Sequence, residues 1–417
     1  MEVARDPVMQ VLTQTRRGYY LLVAVLLAII ALGAFAWSRQ LTVGLGVTGM
    51  NTPAYWALYI VNFVFFIGIS AGGIMVAAVV HALGIERFRG LARMAEVVAI
   101  TALILAAVAI SLDLGRPERV FFLVRYAQWG SPLIWDLFII SVYLALALAL
   151  GYFSSRVDIV RCMERLPGRR GLYRFLALGY TDVSPRALAR DRRVLKVLAW
   201  ASIPGAVALH SVTAWILGLV KATPGWHSAL LAPLFVGSAL VSGLALVILA
   251  AVLSRRFFRL EEAIPAQAIL DLGRLLAVLI PLLGYFLFAE FLTVVYAGIP
   301  VPRAFFAEMM FGRYAPIFWF DLVMGLVVPF LILVYFRTLA GVGVASLLVV
   351  LGVLAERTNI VLPPLLNRSL LPYEVGSYSP TWVEYSLMAT LYAVGVLAFV
   401  VFAKLFPLVE TRKSPGD

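Results

Sequence analysis

Ten apolar runs, near residues 19–37, 54–84, 93–112, 132–153, 195–220, 228–254, 272–297, 316–336, 338–356 and 383–406, leave this chain few folds to choose from. Each approaches or exceeds the ~20 residues a helix needs to cross ~30 Å of hydrocarbon. Backbone groups inside a bilayer find no water, so a crossing segment must pair its own amides and carbonyls as a helix. Hydrophobic residues fill 63% of the 417 positions and charged ones only 13%, with a mean hydropathy of +0.97. The expected fold class is all-α: a polytopic membrane protein with about ten transmembrane helices. The first run follows a charged 18-residue stretch and has no small-residue cleavage site, so it reads as a retained helix and not a signal peptide.

Charge placement predicts the orientation. If the ten helices alternate from a cytoplasmic N-terminus, most of the 34 Lys and Arg residues fall on the inner face, which is the positive-inside pattern. Both termini are then cytoplasmic, in a multi-pass protein of the cell membrane. The net charge of +12 is a topology signal, and no nucleic-acid partner is expected. The one long connection, the basic segment 154–194, carries Pro167-Gly168 and Ser184-Pro185 breaks. It reads either as an anchor on anionic membrane lipid or as a docking surface for a cytoplasmic protein.

Scarce ligands narrow the chemistry. One cysteine, Cys162, cannot hold an iron–sulfur cluster, and the three histidines cannot supply the four axial ligands of a transmembrane dihaem. No haem or iron–sulfur cluster is expected on this chain, so any electrons come from a partner.

A short echo suggests internal duplication. Ser131-Pro-Leu-Ile-Trp-Asp136-Leu opens the fourth helix and Ala315-Pro-Ile-Phe-Trp-Phe-Asp321-Leu opens the eighth, four helices later and in the same direction. The expected organisation is an N-terminal segment with the first helix (1–53), then a first four-helix bundle (54–220) containing the basic loop 154–194. A second four-helix bundle (221–356) follows, then an outer loop, the tenth helix and a cytoplasmic tail (357–417). The first and last helices are peripheral to the two bundles.

Within that topology most membrane-depth acids gather near the outer face, and the inner half has almost none. Asp113 closes the third run, and Asp136 and Asp321 open the fourth and eighth. Glu290 lies seven residues before the outer end of its run, ~10 Å deep, and His210 ten residues before its own, ~15 Å deep. Glu356 is expected to end the ninth helix outside, beside Arg357 and Asn359. An ionisable group at a helix centre costs roughly 2.5–3.5 kcal/mol on insertion scales, so several in one region ask for a common reason. Each also has a plain structural reading. Asp113 can pair with Arg116 or Arg119, and Asp136 can complement its helix dipole. Glu290 can bond Tyr285, Tyr296 or a buried arginine, and His210 can bond a backbone carbonyl. The run Gly68-Ile-Ser-Ala-Gly72-Gly73 reads as close helix packing or as a slot for a flat ring, with Asn62 and Tyr59 one and two turns nearer the outer face.

At these residues the chain resembles the NrfD/PsrC family of integral membrane subunits of respiratory complexes. The resemblance rests on Trp56-Ala-Leu-Tyr59, Phe65-Phe-Ile-Gly68-Ile-Ser-Ala-Gly72-Gly73, Leu114-Gly115-Arg116-Pro117 and Ser131-Pro-Leu-Ile-Trp135-Asp136. His210-Ser-Val-Thr-Ala-Trp215, Gly225-Trp226-His227-Ser228 and Ala289-Glu290-Phe-Leu-Thr-Val-Val-Tyr296 extend it across helices 2–9. The ten-helix form is similar to the DsrP/HmcC branch and to the membrane subunits of alternative complex III. The resemblance implies a protein that reacts with menaquinone or another quinone. Its partner would be an extracytoplasmic ferredoxin-like iron–sulfur subunit, alongside a multihaem cytochrome c or further membrane or cytoplasmic redox subunits. It also implies Asp113 and Asp136 as protonatable groups at the quinone. The slot shaped by Gly68, Gly72 and Gly73, with Tyr59, Asn62, Arg116 and Trp135, is the expected binding pocket, and His210 and Glu290 are further candidates, in an equivalent pocket or on a proton path. One departure stands out: some relatives carry a histidine where Asp113 stands. Two other functions remain open from the residues, a proton- or ion-translocating subunit and an inert anchor for redox partners.

Overall fold

The computed structural model describes residues 7–52, 54–221, 223, 225–366 and 377–409. Most of the outer loop expected after the ninth helix (367–376) and the end of the tail (410–417) lie outside them. Ten helices are long and apolar enough to span a membrane: α1 (Arg17–Val43), α2 (Leu58–Leu83), α3 (Arg89–Asp113), α4 (Pro132–Arg165), α5 (Pro185–Gly218), α6 (Leu231–Phe257), α7 (Ala266–Ala297), α8 (Ala315–Tyr335), α9 (Leu339–Leu366) and α10 (Trp382–Leu405). No strand occurs among the described residues.

Helix α2 is apolar all round and buried almost along its whole length, as a helix at the centre of a bundle must be. It packs on α3 and α5, and α4 closes the ring by touching both of them. In the second half α6, α7, α8 and α9 form a corresponding ring. The two bundles meet where α2 lies against α6, flanked by α2 on α9 and α6 on α5, an arrangement with approximate two-fold symmetry. Helices α1 and α10 pair with each other on the flank of α3. The expected two bundles with peripheral first and last helices are thus what the chain forms.

Small residues set the contact between bundles. A Cβ at Gly72 would collide with the Ala239 carbonyl oxygen and stand 2.9 Å from Gly243 Cα, both on α6. The backbones approach so closely that neither glycine has room for a side chain, the small-residue packing on which helices in lipid rely.

Three readings of the sequence need correcting. Helix α9 does not stop at Glu356; it runs on to Leu366 with Pro363 and Pro364 inside its last turn. The segment 154–194 is mostly helix and not loop. Both α4 and α5 have 34 residues, ~51 Å at 1.5 Å each, so they outrun the hydrocarbon. Their extensions are joined by Arg156, whose guanidinium reaches Asp191 at 2.5 Å and lies 3.5 Å over the Tyr180 ring. Finally, the basic half of the molecule does bury acids. Glu96 is held by His81 at 2.7 Å and by the Ser154 hydroxyl, and Arg93 pairs with Asp158 at 2.6 Å. Glu96 sits a few residues inside the third apolar run, where a hydropathy boundary hides it.

Replacing Gly72 by alanine is expected to push α2 off α6, with overpacking losses of ~1–3 kcal/mol and a lower melting temperature in detergent. Gly284 has nothing within 4 Å of its Cβ position. Gly284→Ala is therefore expected to leave the melting temperature unchanged or to raise it slightly by helix propensity.

Candidate functional site

The membrane-depth polar residues fall into separate settings on the half of the molecule opposite the basic segment. Asp113 is the last residue of α3. The carbonyl of its neighbour Leu112 accepts from the Gln40 amide at 2.6 Å, and the Gln40 oxygen accepts from the Tyr59 hydroxyl at 2.6 Å. This clamp ties α1, α2 and α3 together beside the aspartate. Asp113 is within electrostatic reach of Tyr59 and of Glu384 at the start of α10. Among the described residues no ion pair joins it to Arg116 or Arg119, which are exposed. Its Oδ1 is buried and has no hydrogen-bond partner.

Glu384 shapes the rim of that setting. Its carboxylate accepts from the Gly49 amide at 2.7 Å, from the Thr381 amide at 2.9 Å and from the Tyr378 hydroxyl at 2.5 Å. Burial, then the adjacent Glu384, push the Tyr378 hydroxyl well above its ordinary range, so it stays a donor. The contacts pin the segment between α1 and α2 against the start of α10.

Asp136 sits in a different place. It is 3% exposed, one turn into α4, and accepts from the Thr213 hydroxyl of α5 at 2.7 Å. His210 lies one turn deeper on the same helix as Thr213 and is fully buried. Its Nε2 is 3.3 Å from Arg357 Nη2 on α9, while its Nδ1 has no partner. The expected backbone carbonyl partner is not there. Arg357 also donates to the Ser238 hydroxyl of α6 and lies 4.2 Å over the Phe235 ring, a cation–π contact worth ~2 kcal/mol when desolvated. Glu356 is 3.7 Å from Arg357, and neither of its oxygens has a hydrogen-bond partner. Asp321, 9% exposed, accepts from the Asn359 amide at 3.4 Å. A string of buried polar groups therefore runs from Asp136 through Thr213 and His210 to Arg357, Glu356 and Asp321, crossing from one bundle to the other.

The two ends of the string are equivalent positions: an aspartate near the start of α4 or α8 bonded to a polar residue on α5 or α9. The α8 motif has one extra residue, Phe320, between its Trp and Asp. A π-helical stretch, Phe320–Val327, begins at that residue. Such wide turns occur mostly as local bulges and often at functional sites. Gly325 within it lies against Gly352 of α9.

The other expected residues divide. Gly68 joins the string, since a Cβ there would lie 3.4 Å from the His210 ring and 3.8 Å from Arg357. Gly72 and Gly73 do not; their faces are filled by α6 and by Ala95 and Ala99 of α3. Asn62 accepts from the Tyr392 hydroxyl at 2.6 Å and so faces α10. Glu290 accepts from the Ser228 hydroxyl at 2.6 Å and not from Tyr285 or Tyr296, which are exposed. Trp135 is turned outward and donates to the Trp129 carbonyl. No group of three or more His, Cys, Asp or Glu among the described residues is placed to hold a metal ion.

The family model for NrfD, the polysulphide reductase, matches residues 46–366. The chain belongs to the NrfD family. The match runs from the segment before α2 to the end of α9, so it takes in both bundles and the whole polar string. A Halobacterium salinarum protein described as a dimethyl sulfoxide reductase membrane subunit is 31% identical, covering 97% of this chain and 94% of its own length. A selenate reductase subunit from Mesobacillus selenatarsenatis is 29% identical over 94% of each. The Hdr-like menaquinol oxidoreductase integral membrane subunit of Archaeoglobus fulgidus is 27% identical, again over 94% of each. This NrfD protein is accordingly a membrane subunit of the kind found in oxidoreductase complexes.

The sequence reading missed the part of Arg357 and Glu356 because it ended α9 too early. The available signal was the apolar stretch Ile360–Leu366 after them, which extends the helix past two charges. Arg357→Leu is expected to destabilise the protein by ~3–5 kcal/mol, because it strands Glu356 in a buried site. Adding Glu356→Gln is expected to recover part of that loss, read as coupling in a double-mutant cycle of thermal unfolding.

Proposed function

We propose that this protein exchanges electrons and protons between a membrane quinone, menaquinone above all, and an extracytoplasmic iron–sulfur or cytochrome partner. The observation that carries the reading is the buried, unpartnered Oδ1 of Asp113 at the end of α3, within electrostatic reach of Tyr59. A buried acceptor left unpaired costs ~1–3 kcal/mol, which a ligand hydroxyl would recover. The name of the Archaeoglobus relative, a menaquinol oxidoreductase subunit, points the same way. Most Lys and Arg lie in the segments expected at the other end, so under the positive-inside rule Asp113 and Asp136 would face the outside and both termini the cytoplasm.

A quinone supplies two-electron chemistry with two protons. Asp113 and Tyr59 would bind and orient its head group, and Gln40 holds Tyr59 in place for that. Asp136 would accept a proton released there, with Thr213 fixing its carboxylate. The electrons would leave to a partner at the outer face, since three histidines and one cysteine cannot build the carriers on this chain.

Asp113→Asn in the assembled complex is expected to weaken binding of a menaquinol analogue about tenfold or more. Asp136→Asn is expected to retain binding and lower turnover by ~10²-fold, the lower end of what general acid–base groups contribute. A wild-type complex that binds no quinone would sink the proposal, and two silent variants would leave the chain an inert anchor.

A second reading, proton translocation, is favoured by the string crossing the bundle interface, because buried ionisable groups within spanning helices mark proton paths. It predicts quinol-driven proton release from proteoliposomes that disappears in Glu356→Gln while electron transfer persists.

A further inference from the structure

At the basic end of the molecule a cleft of about 330 Å³ opens between α3, α4 and α10. Ile100, Leu148, Gly151, Ala398, Phe402 and Phe406 contribute its apolar lining, with the last two rings stacked at 4.6 Å. Glu96 also lines it, but both carboxylate oxygens are engaged, by His81 and by Ser154. The Tyr152 hydroxyl is spent as well, donating to the Ala177 carbonyl at 3.2 Å. The acid and the phenol at this cleft thus have their partners already, and the space suits a hydrocarbon chain better than a polar ring.

The short helix Arg170–Leu176 borders the cleft through its last residue. Leu176 lines the cleft, and Tyr173 anchors the helix by donating to the Leu405 carbonyl at 2.8 Å. The same helix exposes Leu172 and Phe175, followed by Leu178, interleaved with exposed Arg170 and Arg174, the latter two residues before the cleft-lining Leu176. Apolar side chains with arginines between them are the mark of a helix lying in the head-group layer. Basic residues beside a pocket between membrane helices suit an anionic lipid head group.

We propose that the cleft holds one acyl chain of an anionic phospholipid whose phosphate rests on Arg170 and Arg174. The lipid would fasten the α4 extension and the Arg170–Leu176 helix to α3 and α10. The site lies in the half of the molecule away from Asp113 and Asp136, so it is distinct from the quinone setting.

The test uses the purified complex in phosphatidylcholine nanodiscs, with phosphatidylglycerol bearing a diazirine near the end of one acyl chain as the probe. Phosphatidylcholine with the same chain is the control, and cross-linked peptides are mapped by mass spectrometry. Phosphatidylglycerol is expected to label the peptides holding Ile100, Leu148 or Phe402 roughly tenfold more than the control. Arg170→Gln with Arg174→Gln, on an exposed face where folding is not at stake, is expected to bring that labelling down to the control. Ala398→Phe, which fills the cleft, is expected to reduce labelling by both probes. Equal labelling by the two lipids, or labelling indifferent to the arginine variant, would overturn the proposal. So would labelling that a menaquinone analogue displaces and excess phosphatidylglycerol does not.

Discussion

The approach of α2 to α6 at Gly72 and Gly243 is the contact on which the rest of the structure depends. In lipid there is little hydrophobic gain from bringing two helices together, so association rests on close packing. Two glycines facing each other let the backbones nearly touch. That proximity draws α5 and α9 inward on either side, and it puts His210, Ser238 and Arg357, from three different helices, within hydrogen-bond range. A wider spacing would take the His210 and Ser238 contacts from the guanidinium.

Arg357 shows how an expensive group is kept at this depth. Its charge is spread over the preceding carboxylate of its own helix, a hydroxyl and an aromatic face of α6, and an imidazole of α5. No one partner neutralises it fully, and several of the surrounding atoms remain unbonded. A buried network that is only partly satisfied is poor material for stability. On the proposed function, the network is kept at that cost because it would serve the quinone reaction or carry protons.

The two halves of the molecule have been put to different use. On the side of Asp113 and Asp136 the partners are unevenly shared: Glu384 accepts from three donors, while Asp113 Oδ1 and both Glu356 oxygens have none. On the basic side, carboxylates are paired: Glu96 with His81, Asp158 with Arg93, Asp191 with Arg156. The Arg156–Asp191 pair joins the extensions of α4 and α5, and the His81–Glu96 pair ties α2 to α3. On the proposed function, the sparsely paired acids are the ones that would exchange a proton.

Much of this was legible in the chain alone. Ten helices follow from ten apolar runs, because a backbone in lipid has almost no alternative to a helix, and the duplicated Pro–Trp–Asp motif announced two bundles. The identity of Asp113 and Asp136 as membrane-end acids was equally plain. Partnership was not. Hydropathy ends a helix at its first charges, so it cut α9 at Glu356 and let the inner acid Glu96 pass as a boundary residue. Spacing could place Gly68, Gly72 and Gly73 on one helix, but not say that two of them face other helices and one faces His210 and Arg357. Which residues meet across helices depends on rotation and on the closeness of approach, and in a chain whose spanning faces are nearly all apolar, no pattern in the sequence records either. Only the packed bundles decide them.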